Sequence, residues 1–264
     1  MLGTFFCYNT NMAKPILVAN WKNHPASLEE AKSLIRELSK AKLVLKKTRL
    51  FIAPPLPYFE LVSSGARSFA GLASQNMFAH MKGSYTGGIT PGILKSFGVR
   101  LAIVGHSERR AQGESSEAVS LKVKAALKAG IAPLVCVGEP SRDADGEYFE
   151  VLRDEIKASL AGLSKSNVSS VIIAYEPVWA IGKSAKESLA PAELAESVIF
   201  IRKVLSDLFG RKAAESVHIL YGGSVEYANA GTLARESGIS GFLVGHASLN
   251  AKQFVAIAKS LTGK

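Results

Sequence analysis

Three side chains in this sequence have the chemistry to move a proton beside a carbonyl: the carboxylate of Glu176, the imidazole of His106 and the ammonium of Lys22. Glu176 directly follows the apolar, β-branched run Val171–Tyr175, and Pro177, Trp179 and a glycine-containing stretch ending Lys183-Ser184-Ala185 come after it. A charge at the end of a buried strand, followed by a segment stiff at its start and loose in its middle, reads as a base beneath a lid, Pro177–Ala185. Two glycine-bearing turns, Gly222-Gly223-Ser224 and Gly245-His246, each precede a helical pattern and could aim backbone N–H groups at an anion. A base, an electrophile, a fixed cation and an anion cradle suit proton abstraction next to the carbonyl of a small sugar phosphate. Singly, each residue has a duller account. Glu176 would be a surface residue on a strand-to-helix turn, His106 a satisfied structural histidine, Glu108–Arg110 a surface ion-pair cluster, and Ser224 a helix cap. The choice turns on whether the chain brings them to one place.

The elements that must position them alternate strictly. Strands are expected at Ile16–Asn20, Arg49–Ala53, Leu72–Gln75, Leu101–Val104, Pro133–Val137, Val171–Tyr175, His218–Tyr221 and Gly241–Val244. Helices are expected at Ser27–Lys42, Pro57–Arg67, Pro91–Phe97, Ser116–Ala129, Tyr148–Leu163, Pro191–Phe209, Val225–Glu236 and Asn250–Leu261. In the first, Leu28, Ala31, Leu34, Ile35 and Leu38 share one face. Gly130, Gly210 and Gly238 stand near helix ends, where a left-handed residue is wanted. Eight βα units predict an α/β fold with a parallel sheet closed into a single eightfold β/α barrel, helices outside. An open doubly wound sheet is the alternative, although it rarely needs so many units. In such a barrel the loops after the strands share one mouth, and the loops after strands seven and eight form the usual phosphate site.

With 264 residues, 47% hydrophobic and 20% charged, the composition is that of an ordinary globular chain, read as one domain over residues 12–264 behind an extension, residues 1–11. That extension is either an arm or a misassigned start. The formal charge of +10 is spread along the helical segments without a nucleic-acid-binding motif, so no nucleic-acid partner is expected. No apolar run reaches the ~20 residues that span a bilayer, and no membrane partner is expected. Cys7 and Cys136 form neither a disulfide framework nor a metal site, which favours a reducing, cytoplasmic setting.

The blocks Asn20-Trp21-Lys22, Gly105-His106-Ser107-Glu108-Arg109-Arg110, Ala174-Tyr175-Glu176-Pro177-Val178-Trp179-Ala180-Ile181-Gly182, Tyr221-Gly222-Gly223-Ser224-Val225 and Gly241-Phe242-Leu243-Val244-Gly245 resemble the triosephosphate isomerase family, in the right order from about Lys14 to Leu261. The resemblance implies that Glu176 shuttles a proton between C1 and C2 of dihydroxyacetone phosphate and D-glyceraldehyde 3-phosphate. It implies a neutral His106 that polarises the carbonyl and a Lys22 that offsets the charge of the enediolate. Asn20 would line the pocket, backbone N–H groups of Gly182, Ser224, Gly245 and His246 would hold phosphate, and Ser107, Glu108 and Tyr221 would support the site. It implies no metal and no organic cofactor. It also implies a homodimer, docked through the loop at Tyr85-Thr86-Gly87.

Three departures from the family pattern stand out. Ile181-Gly182 runs straight into Lys183-Ser184-Ala185, two residues short of the family's Ala-Ile-Gly-Thr-Gly-Lys lid tip, with extra length at Lys186–Leu189. Gly245-His246 replaces a Gly-Gly pair, and Thr86-Gly87-Gly88 replaces Thr-Gly-Glu. Rival readings are a Schiff-base aldolase or another phosphate-binding barrel, and a non-catalytic sugar-phosphate binder. The first lacks a lysine on an interior strand position, and the second predicts loss of Glu176, His106 or Lys22.

Overall fold

In a computed structural model, residues 14–143, 145–183 and 189–262 are described. The extension at residues 1–11, Cys7 and the expected lid end at Ser184-Ala185 fall outside them. Parallel strands close in sequence order into one barrel: β1 (Ile16–Asn20), β2 (Arg49–Ala53), β3 (Gly71–Ser74), β4 (Leu101–Val104), β5 (Ala132–Val137), β6 (Ile172–Tyr175), β7 (His218–Tyr221) and β8 (Gly241–Val244). The open-sheet alternative is thereby excluded, since β1 pairs with both β2 and β8, Ile16 lying opposite Arg49 and Gly241.

The helices are α1 (Leu28–Lys40), α2 (Lys42–Leu45), α3 (Phe59–Gly65), α4 (Pro91–Ser96), α5 (Ser107–Arg110), α6 (Ser116–Lys128), α7 (Tyr148–Ser159), α8 (Lys165–Val168), α9 (Pro191–Phe209), α10 (Arg211–Ser216), α11 (Tyr227–Glu236) and α12 (Ala251–Leu261). Helix α1 starts where Ser27 Oγ accepts the Glu30 N–H at 3.2 Å, and it buries Ala31, Leu34, Ile35 and Leu38. Leu28, expected on that face, is 47% exposed because it sits in the first turn, at the end of the helix rather than along the sheet. The run expected to Lys42 breaks at Ala41, where neither glycine nor proline marks the stop. The run expected to Leu163 stops at Ser159, and Gly162 (φ +75°) turns the chain back toward β6.

Alternation along the strands sorts the core into two layers. Ile16, Val18, Phe51, Ala53, Ala73, Leu101, Ile103, Leu134, Cys136, Ile172, Ala174, Leu220 and Leu243 cluster together, while Leu17, Ala19, Ile52, Ala102, Val104, Val135, Ile173 and Ile219 pack with the helices. The first group fills the barrel. Its phase decides which side chains emerge at the mouth: Asn20 continues Ile16 and Val18, and Glu176 continues Ile172 and Ala174.

Closure between β8 and β1 requires glycine at 241, which has φ +148° and whose added Cβ would fall 1.8 Å from the Ile16 carbonyl oxygen. Gly241→Ala should therefore cost more than about 4 kcal/mol or abolish folding, read by denaturant titration. Burial, together with the charges of Arg49 and Arg202, lowers the pKa of His218 at the start of β7. The folded chain then binds this proton less readily than the unfolded one. The contribution is intact above the ordinary histidine range and is lost as pH falls through the folded value. Below about pH 6.5, His218→Gln should flatten the decline of stability with acidification.

Candidate active site

The strand ends bring Glu176, His106 and Lys22 to one mouth. Glu176 is 2% exposed. Its backbone N–H donates to Val137 O at 2.8 Å and, across the sheet, the Gly222 N–H donates to Tyr175 O at 2.8 Å. Two glycines make the seat possible. A Cβ on Gly138 would fall 1.9 Å from the Glu176 carbonyl oxygen, and one on Gly222 would fall 2.8 Å from Glu176 Cγ. The carboxylate then meets two donors on the β4 loop: Oε2 accepts the Ser107 N–H at 3.1 Å and Oε1 stands 3.3 Å from His106 Nε2.

His106 lies out of phase with the interior residues Leu101 and Ile103. It reaches the mouth because Gly105, at φ +70°, turns the chain. A Cβ at Gly105 would meet Arg110 at 2.9 Å and the Cys136 carbonyl oxygen at 3.2 Å. The imidazole also caps α5, Nδ1 accepting the Glu108 N–H at 3.2 Å. An Nδ1 that accepts carries no proton, so the neutral ring presents its N–H from Nε2 to the pocket.

Lys22 is the one non-glycine residue with positive φ (51°) among the described residues. Such a conformation persists only where the surroundings hold it. Here the Lys22 N–H donates to Asn20 Oδ1 at 3.0 Å, and the Lys22 carbonyl accepts from Gln75 Nε2 at 2.7 Å. Gln75 Nε2 also donates to Ala53 O at 2.9 Å, tying the ends of β1, β2 and β3 together. Lys22 Nζ pairs with Glu108 Oε1 at 2.5 Å. Partial burial would raise the Glu108 carboxyl, but the hydrogen bond and charge of Lys22 outweigh it and the net shift is downward. Glu108 thus holds the ammonium beside the mouth. Gly245 leaves room for it, since a Cβ there would lie 3.2 Å from Lys22 Cε.

The expected phosphate residues are placed less uniformly. Gly182 forms an exposed turn at φ +77°. The duller account of Ser224, as a helix cap, does not hold, because α11 starts at Tyr227 after Glu226. Ser224 Oγ instead donates to Ala180 O at 3.0 Å, joining the β7 loop to the start of the lid segment. Gly245 adjoins Lys22, and His246 is exposed at the start of a single 3-10 turn, His246–Leu249. Burial pushes the Tyr221 hydroxyl up to about 12. The Leu189 backbone opposes that rise, although among the described residues no hydrogen bond of good geometry reaches the hydroxyl, and a Cβ on Gly223 would come within 2.3 Å of it. Tyr85 and Thr86 are exposed in the loop after β3, Tyr85 stacked on His80 with ring centroids 5.0 Å apart.

Behind Pro177–Ala180 lies a network that residue types alone did not reveal. Glu139 is fully buried, and its Oε1 accepts from Tyr175 Oη (2.8 Å), Trp179 Nε1 (2.9 Å) and Arg142 Nε (3.0 Å). Arg142 also donates to Ser197 Oγ at 2.8 Å, so β5, the lid start and α9 share one polar knot. The signal was Glu139 itself, an acid at a strand end opposite a tryptophan loop. A cleft of about 300 Å³ is lined by Ser107, Cys136, Gly138, Glu155, Glu176 and Val178. A larger groove of about 540 Å³ between α1 and α12 shares no residue with the mouth. Among the described residues no cluster of His, Cys, Asp and Glu is arranged to hold a metal. Gly222→Ala should push the Glu176 side chain out of its seat while the barrel stays folded. A crystal structure with Glu176 still bonded to the Ser107 N–H would refute this.

The sequence matches the triosephosphate isomerase family model over residues 15–261. A triosephosphate isomerase of Geobacter metallireducens is 43% identical over 252 residues, covering 93% of this chain and 98% of that one. Those of Syntrophotalea carbinolica and Carboxydothermus hydrogenoformans are each 38% identical over 251 residues, covering 94% of this chain and 98% and 99% of theirs. A family match across almost the whole barrel, joined to a mouth built around Glu176, His106 and Lys22, leaves one conclusion: the chain belongs to the triosephosphate isomerase family.

Proposed function

We propose that this member of the family interconverts dihydroxyacetone phosphate and D-glyceraldehyde 3-phosphate with Glu176 as the base, His106 as the electrophile and Lys22 as the fixed cation. The observation that carries the assignment is the seat of Glu176: a buried carboxylate held between the Ser107 N–H and His106 Nε2. With the triose bound, the carboxylate exchanges the Ser107 N–H for the carbon-bound proton, removes it from C1 and returns it at C2. His106 donates from Nε2 to the carbonyl oxygen as the enediolate forms, and moves protons between the two oxygens. Its Nδ1 stays occupied by the Glu108 N–H. Lys22, held by Glu108, offsets the charge that develops on those oxygens, and Asn20 fixes the Lys22 backbone. Backbone N–H groups of Gly182, Ser224, Gly245 and His246 hold the phosphate in this scheme. The segment from Pro177 closes over it and excludes water, which guards the enediolate against phosphate loss. Tyr221 supports the cradle from below. No metal or organic cofactor has a role in the scheme.

A homodimer belongs to the same proposal. It is supported by the exposed loop carrying Phe78, His80 and Tyr85, whose rings pack against one another at centroid distances of 4.6–5.3 Å. So does a single catalytic domain in a cytoplasmic setting; no helix among the described residues is long and apolar enough to cross a membrane.

The deciding assay is conversion of glyceraldehyde 3-phosphate by the purified chain. Glu176→Gln should lose at least about 10³-fold in kcat, and Glu176→Asp should fall steeply with little change in KM. Turnover that survives Glu176→Gln would sink the assignment of the base. Methylglyoxal released by the wild-type chain would report a lid that leaks. Sedimentation should give the mass of two chains, and Tyr85→Asp should shift it toward one.

A further inference from the structure

We propose that the ion pair between Glu155 on α7 and Arg110 on α5 is a positioning device for the base, one that fixes the distance between the β4 loop and the β6 end at which His106 and Ser107 meet Glu176. The proposal rests on the assignment of Glu176 as the base. Glu155 Oε1 lies 3.0 Å from Arg110 Nε, and Glu155 Oε2 accepts the Gly138 N–H at 2.7 Å. Arg110 in turn donates to the Gly105 carbonyl at 2.8 Å and to the Cys136 carbonyl at 3.1 Å. Ser116 Oγ at 2.9 Å and Ser159 Oγ at 3.2 Å hold the guanidinium plane in place. Both carbonyls and the Gly138 N–H are main-chain groups, so the pair acts on backbone and not on mobile side chains.

The backbone it grips leads directly to the reacting groups. Gly105 is the residue whose positive φ aims His106. Gly138 is the residue whose missing Cβ lets β5 press against the Glu176 carbonyl. The pair therefore clamps both walls of the base's seat from outside the barrel, and neither residue contacts the reacting carboxylate. A displacement of about 1 Å in such a seat can cost as much as 10²-fold in rate.

The pair also lies within a cluster of charges at the ends of β5 and β6. Facing Glu155 are Arg110 from α5, Glu139 and the Cys136 thiol from the β5 end, and Glu176 from the β6 end. Burial raises the Glu155 carboxyl, Arg110 and the Gly138 N–H oppose that rise, and Glu176 and Glu139 add to it.

Steady-state kinetics of the full chain, for wild type, Glu155→Ala and Glu155→Gln, tests the role. Glu155→Ala should lower kcat about 10- to 100-fold with KM nearly unchanged. Glu155→Gln keeps an oxygen for the Gly138 N–H and should restore most of kcat. A purely structural clamp would lower the melting temperature and leave kcat unmoved, and that outcome overturns the proposal. If Glu155→Ala does not fold, Glu155→Asp decides: it keeps the charge but falls short of the Gly138 N–H, and an unaltered kcat is the refutation. A wild-type chain without activity would overturn the isomerase reading and this role with it. Active wild type with unaltered Glu155 variants would overturn this role alone.

Discussion

The site depends on how closely three backbones approach at the carboxyl ends of β5, β6 and β7. Gly138 lies against the Glu176 carbonyl and Gly222 against the Glu176 side chain, each at a separation that no Cβ could occupy. These contacts, with the hydrogen bonds from the Glu176 N–H to Val137 and from the Gly222 N–H to Tyr175, give the carboxylate a single seat. Because the seat is main chain on both sides, it does not relax when neighbouring side chains move. A carboxylate held in this way needs little reorganisation to accept a proton.

Charge compensation follows from that burial. Glu139, Glu155 and Glu176 crowd the ends of β5 and β6, and carboxylates so placed are tolerated only with matched cations and donors. Arg142 serves Glu139, Arg110 serves Glu155, and the Ser107 N–H with His106 serves Glu176. Cys136, between them, has its thiol pushed well up by burial and then by Glu176, so it stays neutral. On the far side of the mouth Lys22 and Glu108 form their own pair. Lys22 and Glu176 thus have separate partners, Glu108 for the one and the Ser107 N–H with His106 for the other.

The departures from the family pattern fall on the rim. His246 stands where a second glycine is usual, and its exposure leaves the main chain of that turn free of its side chain. Leu189 is 2% exposed, so the connection from β6 regains the core there, just ahead of α9 at Pro191. The extra length noted at Lys186–Leu189 therefore ends in a buried anchor. At the other end Val178–Ala180 is fixed by Trp179 on Glu139 and by Ser224 on Ala180.

Much of this was legible in the order of residue types. Apolar runs alternating with amphipathic ones imply a parallel sheet, with a closed barrel preferred to an open sheet, and Glu176 follows directly on an apolar run at a strand end. The family blocks pointed to His106 and Lys22. The sequence did not say that His106, out of phase, is turned inward by Gly105, that Lys22 takes a positive φ, or that Ser224 binds the lid and caps nothing. Nor did it reveal Glu155 and Arg110, 45 positions apart in number, as one pair on adjoining helices. Local pattern determines which face of an element is apolar and where the element stops. Contacts between strand ends depend on how the barrel closes and how near its backbones come. Those distances are set by all the strands at once, and they exist only in the folded chain.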